Sequence, residues 1–154
     1  MELEVKPADP RHPEIIDLIN ASTEYLSSLY PSESNHLVSV SELQKDNVFF
    51  VGAFLDNKIV GCGAVFKYNH YGEIKRMFVN DNCRGFGIGA KILKTLEEHL
   101  INSKINISKL ETGIHQKEAI GLYKKSGYKD IAPFGDYLPD PLSIFMEKKF
   151  NMIF

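Results

Sequence analysis

Apolar and polar residues recur along this chain in segments that are short enough to be single strands and helices. The alternating segment Glu2–Lys6 stops at Pro7, which predicts a first strand. A helix that Pro31 ends is predicted next, because a mainly apolar stripe recurs with a period close to 3.6. That stripe consists of Ile15, Leu18, Ile19, Ser22, Leu26 and Leu29.

The middle of the chain is rich in strand-forming residues. Residues 31–47 mix turn formers with a short helix predicted around Ser41–Lys45. Two β-rich runs then extend over residues 47–68 and are joined by Asp56 and Asn57, a turn pair that favours a hairpin. Gly72–Val79 is predicted to form a further strand.

The second half alternates helical and strand patterns. A clear helical stripe consists of Ile88, Ile92, Leu93, Leu96 and Leu100. After it we predict a strand over 104–113, a helix over 117–127 stopped by Gly127, a brief strand over 128–132 and a last strand over 142–150. The order β, α, three strands, α, β, α, β, β contains no repeat and no dividing linker, and it predicts one α/β (α+β) domain over residues 1–154.

Composition narrows the class of protein. The chain has 154 residues, of which 44% are apolar and 25% charged, so we expect a folded domain. A formal net charge of -2 gives no reason to expect a nucleic acid or a membrane as partner. The apolar run Val48–Leu55 is far shorter than the roughly 20 residues of a membrane span. The first residues lack the charge pattern of a signal peptide, so the expected location is cytoplasmic.

Cysteine and histidine spacing favours neither a disulfide framework nor a metal site. We expect Cys62 and Cys83 to be reduced thiols and Cys62 to be buried. Cys83 adjoins a predicted helix N-terminus, which can lower a thiol pKa. We interpret it as a spectator, with a nucleophilic role as the alternative. His36, His70 and His115 form no ligand pair, so no metal is expected.

Three glycines, Gly85, Gly87 and Gly89, lie between a predicted strand and a predicted helix. This arrangement presents free backbone N–H groups to an anion such as a phosphate. The segment GFGIGAKI departs at two positions from the phosphate loop of nucleotide hydrolases, and GxGxG is not the dinucleotide fingerprint GxGxxG. A tight connection without a ligand is the plain alternative.

RGFGIG at Arg84–Gly89 matches the pattern Arg/Gln-x-x-Gly-x-Gly/Ala. With EIKRMFV before it, LETG at 110–113 and AIGLYKKSGY at 119–128, the chain resembles the GNAT superfamily of acetyl-CoA-dependent N-acetyltransferases over about half its length. The resemblance implies the GNAT acyl-CoA N-acyltransferase fold, with a mixed, mostly antiparallel central sheet flanked by helices. Residues 133–150, LETG and the SLYPSES segment resemble one branch of small bacterial acetyltransferases, some of which are described as acting on indole-acetic acid or similar small molecules.

The resemblance also implies that acetyl-CoA is the co-substrate. Amides of the glycine loop would hold its diphosphate, and the fourth strand, splayed from its successor, would hold the pantetheine arm. The implied coenzyme-binding residues are Met77, Phe78, Val79, Arg84, Gly85, Phe86, Gly87, Ile88, Gly89, Ala90, Gln116 and Tyr123. Gln116 departs from the family pattern, which has Asn there in many members.

Two residues are implied to be catalytic. Glu73 lies where several family members carry their base, and a glutamate pKa near about 4.3 must be raised for it to act on an alkylamine, or it must act through water. Its alternative is a solvated strand glutamate paired with Lys75 or Arg76. Tyr123 occupies the position that often protonates the departing sulfur in the family, and its alternative is a core tyrosine.

The resemblance places the acceptor between the first helical region and the last hairpin. The implied acceptor residues are Tyr30, Glu33, His36, Arg76, Phe134 and Tyr137, with Asp136 adding charge. We therefore expect direct transfer of acetyl to a primary amine of a small molecule. The alternatives are a non-catalytic acyl-CoA-binding module and an enzyme that acetylates proteins or peptides, and a homodimer is one option for assembly.

Overall fold

A computed structural model describes residues 2–151 of the protein, and its main element is one seven-stranded sheet. The strands are β1 (Leu3–Pro7), β2 (Val48–Leu55), β3 (Lys58–Lys67), β4 (Gly72–Val79), β5 (Ile107–Gly113), β6 (Lys129–Ile131) and β7 (Ser143–Lys149). The helices are α1 (Pro13–Leu29), α2 (Val40–Leu43), α3 (Ile88–Asn102) and α4 (Lys117–Lys125), with short 3-10 turns at Ser32–Ser34 and Asp81–Cys83.

The order of strands across the sheet is β1-β2-β3-β4-β5-β7-β6. All neighbours are antiparallel except β4 and β5, which run parallel and pair only at Gly72–Ile74 with Ser108–Leu110. Beyond Ile74 and Leu110 the two strands separate. The predicted mixed, mostly antiparallel sheet flanked by helices is therefore confirmed, as is the splay of the fourth strand from its successor.

Helices cover both faces of the sheet. On one face α3 packs its stripe of Ile88, Ile92, Leu93, Leu96 and Leu100, all 2% exposed or less, against sheet residues such as Val65 and Leu110. On the other face Ile15, Leu18 and Ile19 of α1 pack with Leu43 of α2 against Phe50 and Phe66. Alternate residues of one strand face the two cores, because side chains in a strand point to opposite sides in turn.

The β2–β3 hairpin turns at Asp56 and Asn57, whose φ angles are 50° and 70°. Both values lie in the left-handed region that a two-residue type I′ turn requires, and Asp and Asn tolerate that region better than most residues. The predicted hairpin is therefore confirmed. The predicted stop of α4 is also confirmed, since Gly127 follows the helix at a φ of 100°.

Several boundaries differ from the sequence prediction. The strand predicted from Lys104 begins only at Ile107, because Lys104, at a φ of 61°, belongs to the turn that leaves α3. The short helix predicted around Ser41–Lys45 is present at Val40–Leu43, where Ser39 and Glu42 cap it reciprocally. Within residues 2–151 no helix is both long and apolar enough to cross a membrane.

Candidate active site

The gap between β4 and β5 opens into a cleft with a cavity volume of about 460 Å³. Its walls are Met77, Phe78 and Val79 of β4, the glycine loop with the start of α3, and the start of α4. A cavity of this size falls in the range of cofactor and small-molecule sites. The splay thus produces a large groove beside backbone that has lost its strand neighbour.

The glycine loop forms one end of this cleft. The first hydrogen bond of α3 runs from the amide of Lys91 to the carbonyl of Gly87 at 3.1 Å, so the amides of Ile88, Gly89 and Ala90 precede the helical ladder. Gly87 occupies the N-cap position and offers no side-chain acceptor to them. Three consecutive amides at a helix N-terminus, all in residues that line the cleft, are suited to an anion such as a diphosphate.

Each glycine of the loop has its own structural reason. Gly85 and Gly87 have φ angles of 90° and 73°, which glycine adopts without strain, and a Cβ at either position would meet nothing within 4 Å. A Cβ at Gly89 would lie 3.2 Å from Leu122 of α4. The first two glycines therefore shape the open turn, and the third allows α3 and α4 to approach.

Two residues of the glycine loop, Arg84 and Phe86, have large side chains with different surroundings. Arg84 lines the cleft, and its guanidinium forms ion pairs with Asp81 at 3.0 Å and Glu118 at 3.2 Å. Arg84 thereby ties the loop to α4. Phe86 is 53% exposed and lies outside the lining of the cleft.

Gln116 stands just before α4, at the inner end of the cleft. Its side-chain oxygen accepts a 3.0 Å hydrogen bond from the amide of Gly113. That contact holds the side chain and leaves both N–H groups of its amide to be directed at a ligand. Gln116, which stands where many family members have Asn, is therefore held in place by the last residue of β5.

A second, smaller cavity of about 80 Å³ lies directly next to the cleft. The two cavities share five lining residues: Ser22, Leu26, Met77, Gln116 and Tyr123. Tyr30, His36 and Arg76, which the family resemblance implied, line only the smaller one. The arrangement can therefore bring two molecules together, one from each cavity.

Tyr30 closes one side of the smaller cavity. It is 6% exposed, and its hydroxyl accepts a 3.0 Å hydrogen bond from the amide of His115. A Cβ at Gly113 would overlap the Tyr30 ring, so the tyrosine occupies space that only glycine leaves free. Burial raises the pKa of Tyr30 above its ordinary value, and the hydroxyl stays neutral.

Tyr123 lies at the junction of the two cavities and is 5% exposed. Burial raises the pKa of its hydroxyl, and the negative charge of Glu111 raises it further. A tyrosine in these surroundings remains protonated at neutral pH and can donate a hydrogen bond. Tyr123 is thus a core tyrosine, one of the two roles left open for it, and it also lines both cavities.

Glu73 is 5% exposed and engaged within the protein. Its Oε2 accepts a 2.6 Å hydrogen bond from the hydroxyl of Tyr137 and lies 3.2 Å from Nζ of Lys75. Neither cavity is lined by Glu73. The expected pairing with Lys75 is present, but the expectation of a solvated glutamate is wrong, because the pair is buried under Tyr137.

Glu111, which the sequence did not single out, lines the smaller cavity. It is the glutamate of the LETG segment on β5, and its Oε2 accepts a 2.8 Å hydrogen bond from the hydroxyl of Ser143. Burial raises the pKa of its carboxyl, while Ser143, His36 and Lys75 partly offset that shift. The family resemblance indicated a base on β4 and not on β5. Glu111 lines the cavity only because β5 separates from β4.

The remaining residues implied for the acceptor lie outside both cavities. Phe134 is 8% exposed and packs edge-on against Tyr71, Tyr137 and Phe145. Tyr137 is held by Glu73, as described above, and Glu33 is exposed in the turn after α1. Phe134 and Tyr137 thus support the wall next to the smaller cavity.

The two cysteines are free thiols, as predicted. Cys62 is buried in the sheet, where burial raises the pKa of its thiol to about 12. Cys83 lines the cleft beside the glycine loop, and its thiol lies 3.4 Å from the side-chain oxygen of Asn82. Neither cysteine lines the smaller cavity.

Comparison with known proteins agrees with this geometry. A profile of the Acetyltransferase (GNAT) family matches residues 14–128. A protein of Azospirillum brasilense named IAA acetyltransferase is 43% identical over 141 residues, which cover 90% of this chain and 92% of that protein. A structure described as an acyl-CoA N-acyltransferase from Klebsiella pneumoniae has a TM-score of 0.82 at 32% identity, covering 97% of this chain and 98% of that one.

The PaiA N-acetyltransferase of Thermoplasma acidophilum, solved in complex with coenzyme A, has a TM-score of 0.77 and covers 97% of this chain and 100% of that one. Its identity is 17%, so this likeness shows the fold alone. The chain belongs to the GNAT acetyltransferase family, and it is an acetyl-CoA-dependent acyltransferase. The predictions of family, fold and enzyme class are thereby confirmed.

Proposed function

We propose that the protein moves the acetyl group of acetyl-CoA to a primary amine of a small molecule by direct attack. The observation that carries this proposal is the meeting of the large cleft and the small cavity at Met77, Gln116 and Tyr123. Acetyl-CoA would occupy the cleft, and the amine would occupy the small cavity. The reacting carbon would then lie beside Tyr123, where the two cavities join.

The coenzyme end of the site is supported by backbone donors. The amides of Ile88, Gly89 and Ala90 would donate to the diphosphate, each such bond to a charged oxygen contributing about 1.5 to 3 kcal/mol. The helix dipole adds about 0.3 to 1 kcal/mol, so the hydrogen bonds dominate. Met77–Val79 would pair with the amides of the pantetheine arm as a missing strand does. The other coenzyme residues proposed are Arg84, Gly85, Gly87 and Gln116.

The amine must lose a proton before it attacks. An alkylamine has a pKa near about 10.4, so it arrives as an ammonium ion. The first proton leaves before attack, the C–N bond forms, the C–S bond breaks, and the second nitrogen proton passes to the thiolate. One ammonium ion and one acetyl-CoA thus give one amide, one coenzyme A thiol and one released proton.

Glu111 is the residue we propose as acceptor of the first proton. It lines the acceptor cavity, and burial brings the pKa of its carboxyl closer to that of an amine. Glu73 is assigned a positioning role, because its carboxylate is already bound by Tyr137 and Lys75. This assignment revises the role that family resemblance implies for Glu73.

Tyr123 is proposed to assist the leaving group. A thiol has a pKa near about 8.5 and tyrosine one near about 10, so full proton transfer from tyrosine to a thiolate is unfavourable. Burial raises the pKa of Tyr123 further and makes this transfer harder. Tyr123 therefore donates a hydrogen bond to the developing thiolate, and the proton on sulfur comes from the nitrogen.

The size of the acceptor cavity supports a small acceptor over a protein or peptide. Its volume of about 80 Å³ leaves little room beyond the amine and a few attached atoms. We propose direct transfer without an acyl-enzyme, and neither Cys62 nor Cys83 lines the acceptor cavity. The cytoplasmic location and the homodimer stay predictions.

Thiol release with acetyl-CoA and a panel of small amines tests this function. Tyr123→Phe is expected to lower kcat by about tenfold to a hundredfold, the effect of one hydrogen bond to a charged group. Coenzyme A affinity, measured by calorimetry, should not change. The alternative of a non-catalytic acyl-CoA-binding module predicts coenzyme binding with no amine-dependent thiol release by the wild type. Absence of coenzyme binding would refute both.

A further inference from the structure

We propose that the acceptor carries a carboxylate as well as its amine, and that Arg76 binds this carboxylate in the small cavity. The acceptor class is therefore a small zwitterion of the amino-acid type. This inference rests on the proposed transfer of acetyl to an amine. It adds the chemical group by which the enzyme selects among amines.

Arg76 is a partly buried cation without a carboxylate partner. It lines the small cavity, and within residues 2–151 no Asp or Glu oxygen lies within 4.0 Å of its guanidinium. Every other arginine of the chain, Arg11 and Arg84, forms such a pair. A cation removed from water without a counterion is unfavourable, and an anionic ligand offsets that penalty.

The hydrogen bonds of Arg76 leave donors for a ligand. Its Nε donates to the carbonyl of Val38 at 3.1 Å, and its terminal nitrogens donate to Ser22 at 3.5 Å and Thr23 at 3.0 Å. A guanidinium has five N–H groups, so two remain. The three bonds attach the side chain to α1 and to the segment before α2, which pre-orients it toward the cavity.

The backbone at Arg76 also has an unusual conformation. Its φ is 58°, in the left-handed region, at a bulge where Gly63 of β3 lies opposite both Arg76 and Met77 of β4. Bulges redirect a side chain, and positive φ at a residue other than glycine is unfavourable. Such a conformation is retained where the redirected side chain has a use, and here the redirected side chain reaches the cavity wall.

Groups of both charges line the same cavity, with Arg76 on β4 and Glu111 on β5. Lys75 also lines it, but Lys75 is already paired with Glu73. The Nε2 atom of His36 is buried and has no hydrogen-bond partner among residues 2–151, so it too is available to a polar ligand. The pair of Glu111 for an ammonium group and Arg76 for a carboxylate matches the two ends of an amino acid.

The volume of the small cavity also fits an acceptor of the amino-acid type. At about 10 to 15 Å³ for each water-sized site, a cavity of 80 Å³ holds about five to eight non-hydrogen atoms. Small amino acids fall in this range. Larger amines would extend into the opening of the cavity.

Matched pairs of acceptors test the inference, with alanine against alaninamide and β-alanine against its primary amide. The amine of each amide loses its proton more readily than the amine of the matching acid. Intrinsic reactivity alone therefore favours the amide. We expect kcat/KM for thiol release to be about tenfold to a hundredfold higher for the acid, as for a hydrogen-bonded charge pair. In Arg76→Gln the ratio of acid to amide should fall to one or below. Arg11→Gln, which removes an exposed arginine paired with Asp9, should keep the wild-type ratio.

A binding measurement separates this inference from the proposed function. Calorimetry on the coenzyme A-saturated protein should detect the acid and not the amide, and Arg76→Gln should abolish that difference. If amines are acetylated and the amide equals or exceeds the acid, the inference fails and the function stands. If the acid binds through Arg76 but no amine is acetylated, the anion site stands and the function fails. Should Arg76→Gln not fold, the wild-type ratio decides the question alone.

Discussion

The hydroxyl of Tyr137 donates a 2.6 Å hydrogen bond to Oε2 of Glu73. Lys75 closes the group, with its Nζ 2.7 Å from the same hydroxyl and 3.2 Å from the same carboxylate oxygen. Both contacts engage one oxygen of the Glu73 carboxylate, and Glu73 lines neither cavity. We therefore propose a supporting role for Glu73 on β4 and the role of base for Glu111 on β5, because only Glu111 lines the smaller cavity.

Two glutamine variants distinguish these roles. Glu111→Gln should lower kcat by about a hundredfold or more, as removal of a general base does, and leave coenzyme A affinity unchanged. Glu73→Gln should reduce the free energy of unfolding by about 1 to 3 kcal/mol, because a buried group loses its charged partner, with a smaller loss of kcat. Initial rates of thiol release and denaturant titrations measure both effects.

Glu147→Gln provides the control for these variants. Glu147 lies on β7, opposite Lys109 of β5, and outside both cavities. Its replacement should leave kcat within about twofold, because its carboxylate makes only a long ion pair of 3.9 Å with Lys109, away from both cavities. A result in which Glu73→Gln abolishes turnover and Glu111→Gln retains it would reverse our assignment.

Stability should respond to pH through Glu111. Its folded-state pKa is raised, chiefly by burial, so the folded protein binds this proton more tightly than the unfolded chain. The contribution to stability is complete below the unfolded pKa, near about 4.3, and is lost as pH rises through the folded value. Glu111→Gln lacks this loss, so its free energy of unfolding should rise relative to wild type between pH 4 and pH 8.

A second variant, which should raise the pKa of Glu111 further, also tests the link between Glu111 and the pH dependence of stability. Ser143→Ala removes the hydrogen bond that lowers the pKa of Glu111. The stability lost between pH 4 and pH 8 should therefore be larger in Ser143→Ala than in the wild type. Denaturant titrations at both pH values measure it, and parallel curves for all three proteins would show that Glu111 is not linked to folding.

Local patterns were sufficient to predict most of the fold. The stripe of α3, the hairpin at Asp56 and Asn57 and the glycine stop of α4 each depend on neighbours in sequence, so they could be identified there. The insertion of β7 between β5 and β6 and the parallel pairing of β4 with β5 depend on distant segments. Periodicity could not predict the order of strands, and the family resemblance implied only a mixed, mostly antiparallel sheet.

The site was predicted unevenly for the same reason. Motif positions identified most of the residues that line the large cleft, because a glycine loop before a helix acts through its own backbone. Glu111 carried no signal of its own, since its exposure to the cavity arises only where β5 leaves β4 after Leu110. The burial of Glu73 beside Tyr137 joins residues 64 positions apart, which no local pattern records.

The glycine loop gives a prediction with an internal control. Gly87→Ala places a Cβ at a φ of 73°, which should reduce the free energy of unfolding by about 1 to 2 kcal/mol and weaken coenzyme A binding by distorting the loop. Gly121 lies inside α4, where a Cβ would meet nothing within 4 Å. Gly121→Ala should instead raise stability by about 0.5 to 1 kcal/mol and leave coenzyme affinity unchanged. Equal coenzyme affinity in both variants would contradict the role of the loop.

A crystal structure with coenzyme A tests the central claim most directly, namely that the separation of β4 from β5 creates one cleft leading to a second cavity. We predict the diphosphate at the amides of residues 88–90, the pantetheine arm along Met77–Val79, and the thiol beside the Tyr123 hydroxyl at the entrance to the cavity of Glu111 and Arg76. A thiol that points away from that cavity, or a diphosphate bound elsewhere than the glycine loop, would contradict it.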